Sequence, residues 1–400
     1  MSDVERLLAA FSDGKLLRPS DEVPNIVDLS RALVCLAGAE GVETSAGSAA
    51  LIDTIGSSDH LVFVLVDGLG MNLLERLPTN AFLPKHLIAE LRTVFPSTTA
   101  VAVTSLATGQ WPNEHAVTGW WTHLPEIGAS ATILQFVKRS DQKSLDRHGL
   151  TVEQTFPAPS AMSKVGRDTL ALFPQRIGSS VYSTYFCGGK PRRGYRNLQE
   201  AVDITIKRVW SADQPTYTYI YTSRIDDEAH RCGLARPEVQ AALSDMDREL
   251  ERLACGIGGR GRLVVSADHG FLDAGKSEWH QIRWSDQFMT YLRFPPSGDA
   301  RVMYLHIHEG AEAPVRHYFH KRFGERFLLL TVDEVEELGL LGPSPISAET
   351  KRRVGDLILI SRGRDVIEYR PPGNTGRIMS EASQHSGLTP EEMRVPLVVM

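Results

Sequence analysis

Cysteine is scarce: Cys35, Cys187, Cys232 and Cys255 are the only four in 400 residues, far apart and with no CxxC pair. That gives no compact disulfide framework and fits either reduced thiols in a cytoplasmic protein or ordinary core residues. Long apolar runs are missing too. The longest, Leu61–Val66, is far too short to span a bilayer, so no membrane partner is expected. The opening residues carry Asp3 and Glu5 and no sustained apolar stretch, so they do not read as a secretory signal. Positive charge is not in excess. Lys+Arg 43 against Asp+Glu 49 gives a net charge of −6, which provides no global basic field for duplex nucleic acid. There is no internal repeat and no low-complexity tract. Hydrophobic residues at 42% and charged residues at 23% exclude a disordered or collagen-like chain. The length fits one large α/β core carrying an inserted subdomain.

Residues 1–59 show short helical patterns at Val4–Phe11 and Ile26–Leu36, with a small-residue loop at Ser45–Ala49. They read as a helical lead-in packing on the core. The core is expected over 60–284 and 379–400. Leu61–Val66 reads as a buried parallel strand ending in Asp67-Gly68 and feeding a helical pattern at Met71–Leu77. Thr216–Tyr221 is a second such strand, followed by a loop with Asp226 and His230 and then by an amphipathic helix over Pro237–Ala254. Arg262–Ala267 is a third, running into Asp268-His269-Gly270, and Val395–Val399 closes the chain. Residues 285–378 have their own rhythm, with strands near Val302–Ile307, Phe327–Thr331, Leu357–Ile360 and Val366–Tyr369 and helices near 312–322, 332–339 and 348–354. They read as a small inserted α+β subdomain, with 372–378 as the return linker.

Singly, each polar residue at these strand ends has an ordinary explanation. Asp67 is a turn former or helix cap, Asp226-x-x-x-His230 a helix-start pair, Asp268-His269 a turn, and His385 a surface loop residue. Jointly they do not. Three strand-like runs deliver Asp or Asp/His at the carboxyl edge of what should be a parallel sheet, and the loop before a fourth delivers His385. Ligands bind at that edge in open α/β sheets. Asp and His together suit zinc. The stretch Val94–Gly109 adds hydroxyls at Ser97, Thr98 and Thr99 ahead of a small, apolar helix that must be buried. A helix start offers unpaired N–H groups and the positive end of a dipole, which suit a phosphoryl group.

The ordered set Val66-Asp67-Gly68, Phe95-Pro96-Ser97-Thr98-Thr99, Asp226-x-x-x-His230, Ser266-Ala267-Asp268-His269-Gly270 and His385-Ser-Gly-Leu-Thr-Pro-Glu-Glu-Met393 resembles the alkaline phosphatase superfamily. It is most similar to the type I phosphodiesterase/nucleotide pyrophosphatase branch. The resemblance covers roughly 60–275 and 380–400. It implies an alkaline-phosphatase-like α/β core, a mostly parallel sheet flanked by helices. It also implies two divalent metals per chain, zinc or else manganese. Asp226, His230 and His385 would hold one, and Asp67, Asp268 and His269 the other, with Thr99 beside the second as nucleophile and ligand and Thr98 as the fallback. The backbone N–H of Ala100 would hold a phosphoryl oxygen.

The implied activity is hydrolysis of a small, nucleotide-like phosphate ester through a phospho-threonine. Many nucleotide pyrophosphatases have Asn three residues after the nucleophile, where this chain has Ala102. A phosphomonoesterase, a phosphonate hydrolase and an inactive metal-binding relative therefore stay open beside the diesterase. Trp111, Trp120 and Trp121 are expected either to stack a base and wall the pocket or to pack between helix and insert. Lys190, Arg192, Arg193 and Arg196 suit a distal phosphate or a solvated loop. No role is assigned to His115, His280, His306, His308, His317 or His320.

Overall fold

The computed structural model describes residues 1–372 and 382–400. Seven consecutive buried residues make its central strand, β1 (His60–Val66). The core sheet continues in chain order with β2 (Leu87–Arg92), β3 (Asp168–Pro174), β4 (Arg192–Tyr195), β5 (Thr216–Thr222), β6 (Gly261–Ser266) and β7 (Arg394–Val399), and its spatial order is β2-β7-β6-β1-β5-β3-β4. β1 is parallel to β5 and β6, and β3 is parallel to β5 and β4. β7 alone runs against its neighbours, antiparallel to both β2 and β6. The near-continuous apolar strands follow from burial on both faces.

The helices that matter for the site are α1 (Asp3–Ser12), α2 (Ile26–Leu36), α3 (Ala46–Ile55), α4 (Thr99–Thr108), α5 (Arg224–Cys232) and α6 (Pro237–Ile257). The stretch Ser45–Ala49, expected as a loop, opens α3 instead. Ser45 is its N-cap in a capping box with Ser48, and the alanines that follow favour helix once the cap is in place. Similarly, Asp226 and His230 were expected on a loop and lie on α5.

A second seven-stranded sheet is antiparallel throughout. Across it stand Phe327–Thr331, Leu357–Ser361, Val302–Leu305, Ser297–Gly298, Trp121–Leu124, Ala129–Thr132 and Val137–Lys138. The last three come from outside 285–378. Their short, polar sequences carry no alternation long enough to mark a strand. Along the strand Phe327–Thr331 the side chains alternate. Leu328 and Leu330 pack with Leu7, Ala10 and Leu16, while Phe327 and Leu329 pack with Val315 and Phe319. Thus α1 lies on the second sheet, while α2 and α3 belong to the core cluster. The expected return linker at 372–378 falls, beyond Pro372, outside the described residues. Among the described residues no helix is long and apolar enough to cross a membrane.

Leu7 is fully buried under the second sheet. Leu7→Ala should lower the unfolding free energy by about 2–5 kcal/mol, read from the urea midpoint. A change near zero would place α1 off this sheet.

Candidate metal centre

The parallel strands bring their carboxyl ends to one edge. Asp67 follows β1 directly, its backbone N–H continuing the ladder to Thr222 O (2.9 Å). Gly68 then turns with φ +75°, and a Cβ there would meet Phe271 at 2.3 Å, so the turn requires glycine. Asp268 and His269 follow β6. β5 leads into α5, where Asp226 and His230 are four residues apart and share a helix face. His385 precedes β7. Because β7 is antiparallel, its entry lies at the edge where the other strands exit, and this brings the last histidine to the others.

His230 Nε2 lies 3.2 Å from His385 Nε2 and 3.4 Å from Asp226 Oδ1, which is 4.0 Å from His385 Nε2. His269 Nε2 lies 3.5 Å from Asp67 Oδ1, 3.5 Å from Asp268 Oδ2 and 3.0 Å from Thr99 Oγ1. Two trios converge closely enough to share an ion: Asp226, His230 and His385, and Asp67, Asp226 and His269. Asp226 belongs to both. Asp268 stands beside the second trio and uses Oδ1 to accept Gly68 N and His269 N, both at 3.0 Å.

The hydrogen bonds on the far side of each ring decide what these atoms present. His230 Nδ1 faces Ser383 O (3.0 Å), His385 Nδ1 faces Ser97 O (3.2 Å) and His269 Nδ1 faces Gly270 O (3.1 Å). A carbonyl can only accept, so each Nδ1 donates to it and Nε2 is the ring nitrogen turned toward the other candidate ligands. Among the described residues Asp67 Oδ1, Asp226 Oδ1 and Asp268 Oδ2 are buried without a hydrogen-bond partner. Three inward ring nitrogens and three carboxylate oxygens without a hydrogen-bond partner in one place fit divalent cations.

The electrostatics agree. Burial raises Asp67 well above its ordinary 3.8, and the carboxylates of Asp226 and Asp268 push it the same way. Burial also raises Asp268. For Asp226 burial acts upward but is outweighed by His230, with His269 and Arg176 adding to it, and the group is lowered. Burial, then His269 and His230, hold His385 well below 6.5. Sequence reasoning missed Tyr221, whose hydroxyl donates to Asp67 Oδ2 and leaves Oδ1 for the centre. It is one of three alternate tyrosines on β5, and nothing in its spacing sets it apart.

Thr99 opens α4, a helix buried from Thr99 to Ala107. Ala100 is in the first turn, where N–H groups have no intrahelical partner. Thr98 is at the N-cap position, but its hydroxyl makes no capping bond and is buried without a partner. Ala102 is fully buried. Trp120 and Trp121 belong to the second-sheet region, and Arg139 covers the Trp121 ring at 3.8 Å. Trp111 is buried in the core cluster. Lys190 donates to Val165 O and Arg192 to Gly178 O, while Arg193 and Arg196 pair with Glu200, so the basic loop is engaged locally.

The model of the family described as "Type I phosphodiesterase / nucleotide pyrophosphatase" matches residues 61–378. No curated protein matches the chain by sequence. Among solved structures, murine ectonucleotide pyrophosphatase/phosphodiesterase 5 is similar at 17% identity and TM-score 0.61, over 84% of this chain and 87% of that one. An inactive threonine-to-alanine variant of the murine protein, in complex with AMP, is similar at 16% and 0.60, over 84% and 87%. Phosphonoacetate hydrolase from Sinorhizobium meliloti 1021, in complex with phosphonoacetate, is similar at 15% and 0.59, over 84% and 89%. At these identities the likeness shows the fold.

Metal removal should destabilise the protein in a pH-dependent way. Asp67 and Asp268, with raised values, cost the metal-free fold stability as pH climbs above 3.8, because the unfolded chain then holds fewer protons than the folded one. His385, with a lowered value, costs the metal-free fold stability only as pH falls below 6.5. Cations bind the deprotonated forms, so the Tm gap between metal-loaded and chelated protein should widen from pH 5 to pH 8. A gap that narrows would contradict the assignment.

Proposed function

The chain belongs to the type I phosphodiesterase/nucleotide pyrophosphatase family, and we propose that it hydrolyses a small, nucleotide-like phosphate ester through a phospho-threonine at a two-metal site. The observation that carries this reading is the convergence of three inward Nε2 atoms and three carboxylate oxygens without a hydrogen-bond partner beside one threonine hydroxyl. Asp226, His230 and His385 would hold one ion, and Asp67, Asp268, His269 and Thr99 the other. Bound there, two divalent cations, zinc or else manganese, would lower the hydroxyl pKa and offset charge on the phosphoryl oxygens.

The rest is the work of the chain. Thr99 presents Oγ1 at the start of α4, 3.0 Å from His269 Nε2, so hydroxyl and ring nitrogen face the same ion position. The Oγ1–phosphorus bond forms as the bond to the leaving oxygen breaks, the hydroxyl proton being lost to solvent and the leaving oxygen taking one up; water then cleaves the bond between Thr99 and phosphorus, releasing the phosphate monoester from a diester, or inorganic phosphate from a monoester, and restoring the hydroxyl. Ala100 N–H, at the positive end of the helix, holds an equatorial oxygen. Trp120 is proposed as a wall for the remainder of the substrate, with Trp121 less available beneath Arg139. The murine relative solved with AMP supports a nucleotide-like ligand. Ala102 favours a second reading, a phosphomonoesterase or phosphonate hydrolase on the same centre, because the amide that many diesterases place there is missing. Four free thiols favour a cytoplasmic setting.

A panel of nitrophenyl phosphate monoesters, diesters and a phosphonate separates these readings. Faster diester turnover supports the first and faster monoester or phosphonate turnover the second. Thr99→Ala should reduce kcat by at least about a thousandfold with metal content near normal, while Thr99→Ser keeps part of the rate. Full turnover by Thr99→Ala, or phosphate trapped on Thr98, would overturn the nucleophile. Trp120→Ala should raise KM for a bulky diester more than for a nitrophenyl ester, and equal effects would indicate packing.

A further inference from the structure

Glu392 stands seven residues beyond His385 in the last motif, and the chemistry above gives it no part. Its side chain is fully buried and accepts five hydrogen bonds. They come from Gly387 N (2.8 Å), Thr389 N (3.1 Å), Thr389 Oγ1 (2.7 Å), Arg301 Nε (2.6 Å) and Arg301 Nη2 (3.2 Å). Arg301 is fully buried as well. It donates onward to Gly363 O (2.5 Å) and Asp365 O (3.1 Å), and its backbone N–H donates to Ser386 Oγ (3.1 Å). Arg301 lies between two strands of the second sheet, and Gly363 and Asp365 lie in the turn after another. One carboxylate thus joins the second sheet to the loop that carries a candidate metal ligand.

That loop is tightly defined. Ser386, next to His385, has φ +102°, a conformation most residues avoid. A Cβ at Gly387 would come within 2.7 Å of Glu392 Oε2 and 2.9 Å of Arg301 Nε, so the backbone can lie against the ion pair only as glycine. On the other side Ser97 Oγ donates to Gly387 O (2.7 Å), and His385 Nδ1 faces Ser97 O (3.2 Å). The loop is clamped between the nucleophile segment and the ion pair. A buried ion pair is a weak source of net stability, since desolvation offsets its attraction and well-packed apolar residues do as well. What it supplies is direction, through fixed hydrogen bonds to a strained backbone.

We infer that Arg301 and Glu392 are positioning residues for the metal assigned to Asp226, His230 and His385. They fix the 385–387 loop so that His385 Nε2 faces its partners, and they make that one metal depend on the second sheet. The inference rests on the two-metal reading above.

Calorimetric titration of chelator-stripped protein with zinc, together with thermal melts, tests it. Wild-type protein should bind two equivalents. Glu392→Gln should weaken one of them roughly 10–100-fold and leave the other nearly unchanged. On a His385→Ala background Glu392→Gln should weaken binding no further, because both act on the same ion. Ser386→Ala keeps the ion pair and removes only the anchor from Arg301 N. It should weaken the same equivalent, and it decides the matter if Glu392→Gln does not fold. A lower Tm with both affinities unchanged, or both weakened alike, would make the pair purely structural and overturn the inference. Wild-type protein that binds no zinc would remove the two-metal reading first and the inference with it.

Discussion

Three aspartates that cannot all stay ionised in a dry protein interior are held together at one edge of the core sheet. Asp67, Asp226 and Asp268 keep three oxygens without partners, and burial with mutual repulsion raises two of them. Left alone such a cluster is costly. Protein hydrogen bonds reach only the outer oxygens, from Tyr221 to Asp67 Oδ2 and from the Gly68 and His269 N–H groups to Asp268 Oδ1. Each imidazole is pinned by Nδ1 to a backbone carbonyl, so that Nε2 faces inward. Local stability is given up for a place where positive charge is wanted.

The topology that makes this possible depends on one reversed strand. With β7 parallel, the loop carrying His385 would enter at the opposite edge, far from the residues after β1, β5 and β6. Running antiparallel to β6 and β2, it delivers its entry loop to the exits of the others. That loop is also where the second sheet reaches the core, through Arg301 and Glu392. The two sheets therefore meet at the candidate centre itself.

Much of this was legible in the sequence because its signals are local. Continuous apolar runs marked β1, β5 and β6, and the Asp or Asp-His after each marked the edge. The apolar period of Pro237–Ala254 marked α6. What was not legible is tertiary. The strands at 121–138 are short and polar, and they are strands because Trp121 pairs with Gly298 and the three pair in turn with one another. Ser45–Ala49 looked like a loop because its residues are small, while a capping box decides for helix. Tyr221 reaches Asp67 across 154 residues of chain and Glu392 reaches Arg301 across 91, and no spacing rule reaches that far. Thr98 had the residue type of a cap and the position of one, yet its hydroxyl makes no capping bond.

The most direct test of this account is a crystal structure of the protein soaked in zinc or manganese, with anomalous diffraction collected at the metal edge. The account predicts two peaks per chain, one bounded by Asp226, His230 and His385 and the other by Asp67, Asp268, His269 and Thr99. An empty edge at full soaking, or peaks only at other residues, would contradict it.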